Sequence, residues 1–393
     1  MKPKPPLGNM SVKQFLSDYW QKKPLLIKQA FEDFENPLSA EELAGLACEH
    51  DVESRIVLEK DGAKPWELRH GPFSEQDFEQ LPQSHWTLLV QDVEKHIPEL
   101  CSITDHFDFI PRWRLDDLMI SYATDKGSVG AHVDAYDVFL LQAHGQRHWQ
   151  ISTDTINTDD ILANIDLKIL KQFDPDQDWI LEPGDMLYLP PGIPHHGIAM
   201  GDCMTYSIGF RAPSHLDMLQ SFIETTVKSQ NCETLYTDPD LKLQSHPHEI
   251  STTTIVSFRQ IIEEHLDLAK QGIQHSIGTL LSESKIQFQT HKLENTPDKK
   301  TFIQQWKQEQ YLFRNTAIKF LYIPSSEHID FYIDGHHCRF NTINANLAEW
   351  LCTILEYEYA DCCQLAGNQQ LISMLYYFYL RGFCYFQEAS DNT

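Results

Sequence analysis

The stretch GSVGAHVDAYDVFLLQAHGQRHW, residues 127–149, sets a histidine and a carboxylate two positions apart at the mouth of a long apolar run. On a strand, residues two apart share a face, so His132 and Asp134 would present an imidazole and a carboxylate to one point. The pattern alone is weak evidence, because His-x-Asp occurs five times: His106/Asp108, His132/Asp134, His215/Asp217, His265/Asp267 and His328/Asp330. Two of these lie in helical patterns, where residues two apart are ~200° round the axis and cannot chelate one ion. His328/Asp330 belongs to a hairpin, HIDFYIDGHH, with Asp334-Gly335 as the turn and a wet polar face that accounts for the pair. His106/Asp108, read as extended, has neither a glycine approach nor a distant partner. His132/Asp134 has Gly127 and Gly130 before it and the strand DVFLLQA behind it.

A third ligand is expected from another strand, and EPGDMLYLPPGIPHHG supplies His195 and His196 after a Pro-Pro-Gly corner. Successive strand residues face opposite ways, so only one of the pair can join His132 and Asp134. Two imidazoles and a carboxylate form the facial triad of non-haem Fe(II) oxygenases, although zinc hydrolysis uses similar ligands. Beyond FLLQA a short turn, HGQ, is expected to lead to Arg147 on a returning strand. A guanidinium there suits the second carboxylate of a keto-acid cosubstrate, and the rival reading is a surface arginine on a hairpin.

Composition narrows the partners. The 393 residues carry 31 Lys+Arg against 57 Asp+Glu, a formal charge of −26. Such a chain repels phosphate backbones and anionic lipid and attracts basic proteins, so free nucleic acid and membrane are not expected partners. The nine cysteines include no Cys-x-x-Cys, which predicts a reducing compartment without zinc-ribbon sites. No apolar run approaches the ~20 residues of a membrane span, and the N-terminal residues lack an apolar signal segment. A cytoplasmic protein is expected.

The texture changes along the chain. Ser39 and Glu42 read as a capping box for a helix in NPLSAEELAGLA. Short β-type runs follow: SRIVLE, HWTLLVQDV, DDLMISYA, YDVFLLQA, RHWQIS, DMLYLPP and CMTYSIGF. Such punctuation favours a sandwich or barrel over alternating βα units. From Ser214 the pattern turns helical, with Leu216, Leu219, Phe222 and Ile223, then Ile255, Phe258, Ile262 and Leu266. Beyond about residue 286, helices and a hairpin suggest a winged-helix-like module.

Together, FLSDYWQKKPLLIKQAF, RHGPF, WTLLVQDVEKHIP, RWRLDDLMISYA, GAHVDAYDVFLLQAHGQRHWQI, GDMLYLPPGIPHHG and TYSIGFRAPS resemble the JmjC/cupin-type ribosomal oxygenases. The likeness is to the bacterial branch that hydroxylates an arginine of a large-subunit ribosomal protein, and it covers the chain to about residue 213. It implies a mainly β catalytic core, a double-stranded β-helix, followed by a helical dimerisation segment and an α+β winged-helix-like C-terminal domain. The expected boundaries are 1–213, 214–285 and 286–393. It implies Fe(II) held by His132, Asp134 and His195, 2-oxoglutarate bound by Arg147 with help from Ser121, O2 as co-reactant, a basic ribosomal protein as substrate, and a homodimer. His196 departs from the family, where glutamate commonly follows the ligand histidine. Asp116, Asp125 and Asp137 are near enough in sequence to be considered for the substrate guanidinium. The alternatives are a histidyl hydroxylase or lysine demethylase of the same class, or a non-catalytic cupin/winged-helix binding protein.

Overall fold

The structure is a computed structural model and describes residues 3–60, 66–153, 161–162, 168–227, 234–239, 250–285, 288, 290, 293, 295–341, 344–365 and 368–387. The chain forms two compact units, Met1–Ala212 and Pro213–Thr393.

In the first unit, ten strands make one sheet: β1 (Leu25–Ile27), β2 (Ser54–Glu59), β3 (Trp66–His70), β4 (Trp86–Val90), β5 (Leu115–Ala123), β6 (His132–Val133), β7 (Asp137–Ile151), β8 (Gln177–Leu181), β9 (Met186–Leu189) and β10 (Pro194–Phe210). Their order is β1-β9-β7-β10-β5-β4-β2-β3, with β6 added on β10 and β8 on β7. The two long strands carry the architecture. The first half of β7 pairs with β9 and the second half with β8, while β10 runs beside β7 along its whole length. Each long strand thereby belongs to both faces of a double-stranded β-helix.

The HGQ segment is not a hairpin turn. Residues on either side of it pair with the same partner, Gln142 with Thr205 and Gln146 with Met200, so the direction of β7 is unbroken. Register shifts there, with Gly145 at φ +62° and Gly201 at φ +79°, mark a bulge that bends the paired strands. The glycine signal was real, and it serves a bend rather than a reversal.

Burial explains the apolar run. Every residue from Asp137 to Ala143 is buried, because both faces of β7 are covered. Phe139 and Leu141 point outward into a core shared with Phe15 of α1 (Val12–Asp18), Leu43 of α2 (Ala40–Leu46), Phe107 and Tyr188. Val138 and Leu140 point inward with Leu181, Leu187 and Leu189. Each large apolar side chain so buried contributes about 1.5–3 kcal/mol. The Ser39/Glu42 capping box starts α2 as expected.

Two expectations about the other His-x-Asp pairs change. His106 lies at the C-terminal end of a short helix, Cys101–Asp105, and Asp108 pairs with Arg112, so this pair is not extended. In the second unit the hairpin strands Ile329–Ile333 and His336–Phe340 form as read, but the supposed wet face is buried. The helix Ile273–Ser282 covers it, with Gly278 laid against the Tyr332 ring, and Asp330 accepts from Arg339 Nε at 2.7 Å beneath it.

The rest of the second unit combines helices His215–Phe222, Thr252–Ala269, Lys299–Glu309, Ala345–Thr353 and Asn368–Leu380 with two three-stranded sheets. Ser214 and Asp217 form a capping box on the first of these helices. A core of Phe302, Trp306, Phe331, Leu351, Leu375 and Phe378 joins the later elements. Among the described residues no helix is long and apolar enough to cross a membrane.

Candidate active site

Strand β6 brings the first pair to the third residue. His132 pairs directly with His195 of β10, and their ring centroids are 4.2 Å apart. Asp134 follows β6, and its Oδ2 lies 3.8 Å from His132 Nε2 and 3.5 Å from His195 Nε2. One ligand atom from each of the three falls within 4.8 Å of the others, the one such cluster among the described residues. The approach is tight: Gly130 has φ +79°, and a Cβ there would meet Ile169 at 2.9 Å.

Both imidazoles are oriented by backbone. His132 Nδ1 donates to Gly130 O at 3.0 Å and His195 Nδ1 to Ile193 O at 2.9 Å, which leaves each Nε2 lone pair toward the carboxylate. Burial first, and then the neighbouring His132, push the His195 imidazole down to about 4, so it stays neutral and able to coordinate. His196 faces the other way. Its Nε2 lies 2.9 Å from Ser128 Oγ. Two imidazole nitrogens and one carboxylate oxygen on a rigid frame fit Fe(II).

Arg147 is not a surface arginine. It stands opposite Ala199 on the inward face of β7, is 3 % exposed, and has no carboxylate partner among the described residues. Its Nη2 donates to Gly197 O at 3.2 Å, its Nε has no partner among the described residues, and burial pushes its pKa below the usual arginine value. Ser121 of β5 shares the inward set through its pairing with Thr205, and its hydroxyl donates to Thr205 O at 3.3 Å. Of the acidic candidates, Asp137 lies on the outer face, buried under Arg114 at 3.0 Å and Tyr188 at 2.7 Å. Asp116 pairs with Arg211, and Asp125 accepts from Gly201 N.

Residues 102–218 match the JmjC domain family. The ribosomal protein uL16 3-hydroxylase of Escherichia coli is 35 % identical over 283 residues, 72 % of this chain and 73 % of that protein. The chain belongs to the JmjC ribosomal oxygenases. A probable ribosomal oxygenase of Haemophilus influenzae is 38 % identical over 230 residues, 58 % of this chain and 54 % of that protein. The solved structure of the Escherichia coli ribosomal oxygenase YcfD in complex with cobalt and 2-oxoglutarate superposes with a TM-score of 0.78 at 29 % identity, covering 96 % of this chain and 99 % of that one.

Two residues of this oxygenase's interior escaped sequence reading, and period-two spacing was the available signal. Trp149 is two beyond Arg147 and Gly197 two beyond His195, so each shares its neighbour's face. A Cβ on Gly197 would lie 2.7 Å from both Arg147 Nε and the Trp149 ring. Gly197→Ala is therefore expected to displace both side chains. The melting temperature should fall by the equivalent of about 1–3 kcal/mol, and the KM for 2-oxoglutarate should rise. Thermal melts and cosubstrate titration check it, and an unchanged pair of values would mean that the interior can give way at no cost.

Proposed function

We propose that this oxygenase uses Fe(II), O2 and 2-oxoglutarate to hydroxylate an arginine side chain of a large-subunit ribosomal protein. The observation that carries the cosubstrate is Arg147, a buried guanidinium without a counter-ion among the described residues, on the same inward face as His195. A dicarboxylate with its keto-acid end at the triad supplies that counter-ion through its far carboxylate. Ser121 is assigned a supporting role on the same face. His132, Asp134 and His195 are the proposed metal ligands. Bound Fe(II) supplies redox chemistry, activating O2 while 2-oxoglutarate is converted to succinate and CO2, with one oxygen atom entering each organic product. The protein's own contribution is positional: backbone carbonyls fix both imidazoles, and Val138, Leu140, Leu187 and Leu189 keep bulk water from the interior.

The substrate reading rests on charge. The uL16 hydroxylase acts on a ribosomal protein by its name, and a chain of formal charge −26 attracts such basic partners. Near Asp134, the Tyr136 phenol is pushed up by burial and then by the charges of Asp134 and Asp117. Asp117 lies on β5 at 8 % exposure. We assign these two residues to the arginine pocket, the carboxylate facing the guanidinium and the phenol its stem. The site of action is the cytoplasm, with no free nucleic acid as partner. Peptide mass spectrometry of ribosomal proteins from cells with and without the gene tests the function. One arginine should lose the mass of an oxygen atom when the gene is removed. A modified histidine, a retained methyl-lysine or no change would each replace this reading with a named alternative.

We also propose three parts, 1–213, 214–285 and 286–393, with the middle one a homodimerisation segment and the last a winged-helix-like module. Leu219 is 60 % exposed, Phe258 49 % and Ile262 59 %. Apolar rows of this kind on helices call for a partner surface. Light scattering at micromolar concentration should give a dimer for the full chain and a monomer for Phe258→Asp/Ile262→Asp. A monomeric parent chain removes the idea.

A further inference from the structure

Buried donors in folded proteins are almost always paired, so an orphan next to a binding site asks for a ligand. Trp149 is such a case. It is 5 % exposed, yet its indole Nε1 has no hydrogen-bond partner among the described residues. Its neighbours are the two ends of the site. The ring centroid is 6.0 Å from that of His195, and the Arg147 guanidinium carbon is 5.0 Å from it. The six-membered edge, Cζ3 and Cη2, lies against Gly197, so the edge carrying Nε1 points away from β10. Arg147 Nε, also buried, is the second orphan on this face.

A trapped water is a poor answer to these orphans. A buried water needs about 2–4 polar partners, and on the apolar side of Trp149 the side chains of Val138, Leu140, Ile151, Leu181, Leu187 and Leu189 offer it none. A ligand that brings its own acceptors is a better one. Of the two ends, the Arg147 end is the one where a second donor also lacks an acceptor among the described residues.

We propose that Trp149 is a cosubstrate-binding residue whose indole N–H donates to the far carboxylate of 2-oxoglutarate beside Arg147. This rests on the reading that 2-oxoglutarate occupies the barrel between the triad and Arg147. The indole and the guanidinium then form one anion site, the guanidinium supplying charge and the fixed indole direction. Because Trp149 is held by Gly197 on one side and the leucines on the other, its donor is preorganised.

The test uses full-length protein loaded with Zn(II), which binds cosubstrate without turnover. Calorimetric titration with 2-oxoglutarate should give a Kd for Trp149→Phe about ten-fold or more above the parent, the loss expected for a hydrogen bond to a charged acceptor. Zn(II) stoichiometry should not change. Pyruvate has the keto-acid end and no far carboxylate, so it should bind the parent and Trp149→Phe alike. In the parent, the indole resonance missing from the Trp149→Phe spectrum should move downfield when 2-oxoglutarate is added, a readout of the unaltered site. Equal 2-oxoglutarate affinity for Trp149→Phe, an unmoved indole resonance, or an equal loss of pyruvate binding overturns the assignment. Arg147→Ala separates the two claims. If it binds 2-oxoglutarate as the parent does, the cosubstrate reading has failed. If it loses binding while Trp149→Phe does not, only the indole's part has failed.

Discussion

His195→Ala protein is expected to bind no Fe(II) stoichiometrically and to show no turnover, whereas His196→Ala keeps the metal and most of its activity. The two residues are adjacent in sequence and opposite in direction. His195 Nε2 lies 3.5 Å from Asp134 Oδ2, and His196 Nε2 lies against Ser128 Oγ. Losing one of the three proposed protein ligands leaves a bidentate site, too weak to hold a divalent ion against dilution. Losing His196 removes one hydrogen bond to Ser128, a net change of about 0.5–1.5 kcal/mol. Its imidazole is held down to about 4, by burial and then by Arg147, so no charge is lost at neutral pH. Metal analysis after gel filtration and succinate formation read the two variants. Iron retained by His195→Ala and lost by His196→Ala would reverse the assignment.

That contrast shows how far strand alternation carries. Period two already said that only one histidine of the pair can face His132 and Asp134, and the direct pairing of His132 with His195 supplies the choice. The long apolar run of β7 was legible for the same kind of reason, since covering on both faces leaves no polar alternation to find. Of the short strands, those in SRIVLE, HWTLLVQDV and DMLYLPP were legible, whereas Leu25–Ile27, Trp66–His70 and Gln177–Leu181 were not. Gln177–Leu181 is mostly exposed and is held by its backbone pairing with β7, and no pattern of side chains records such pairing. Gly145 was visible as a break, yet a glycine with positive φ serves a turn and a bulge equally. Arg147 was readable as a cation of the right type. Its isolation from every carboxylate among the described residues is a property of the packed interior alone.

Arg147→Met is expected to make the ligand-free protein more stable and to destroy its response to 2-oxoglutarate. The guanidinium is 3 % exposed, donates through Nη2 to one backbone oxygen, and among the described residues has no partner for Nε. A buried charge without a counter-ion is costly, and replacing buried ionic groups by apolar ones of similar volume commonly stabilises a fold by about 1–4 kcal/mol. Methionine fills a comparable channel beside the Trp149 ring without needing a partner. In a domain of this size that gain raises the melting temperature by about 2–4 °C per kcal/mol. Binding changes the other way. Removing one partner of a buried charge-assisted pair costs about 2–5 kcal/mol, or roughly thirty-fold to several thousand-fold in Kd. The parent should therefore melt higher with millimolar 2-oxoglutarate, by the logarithm of its saturation, and the variant should not shift. Thermal melts of both proteins, with and without cosubstrate, give all four values. A variant that melts lower than the parent without ligand would mean that Arg147 supports the fold itself, and a variant still stabilised by 2-oxoglutarate would place the far carboxylate elsewhere. The expected pattern, an inactive chain sturdier than the active one, is what a cation held in readiness for an anion should produce.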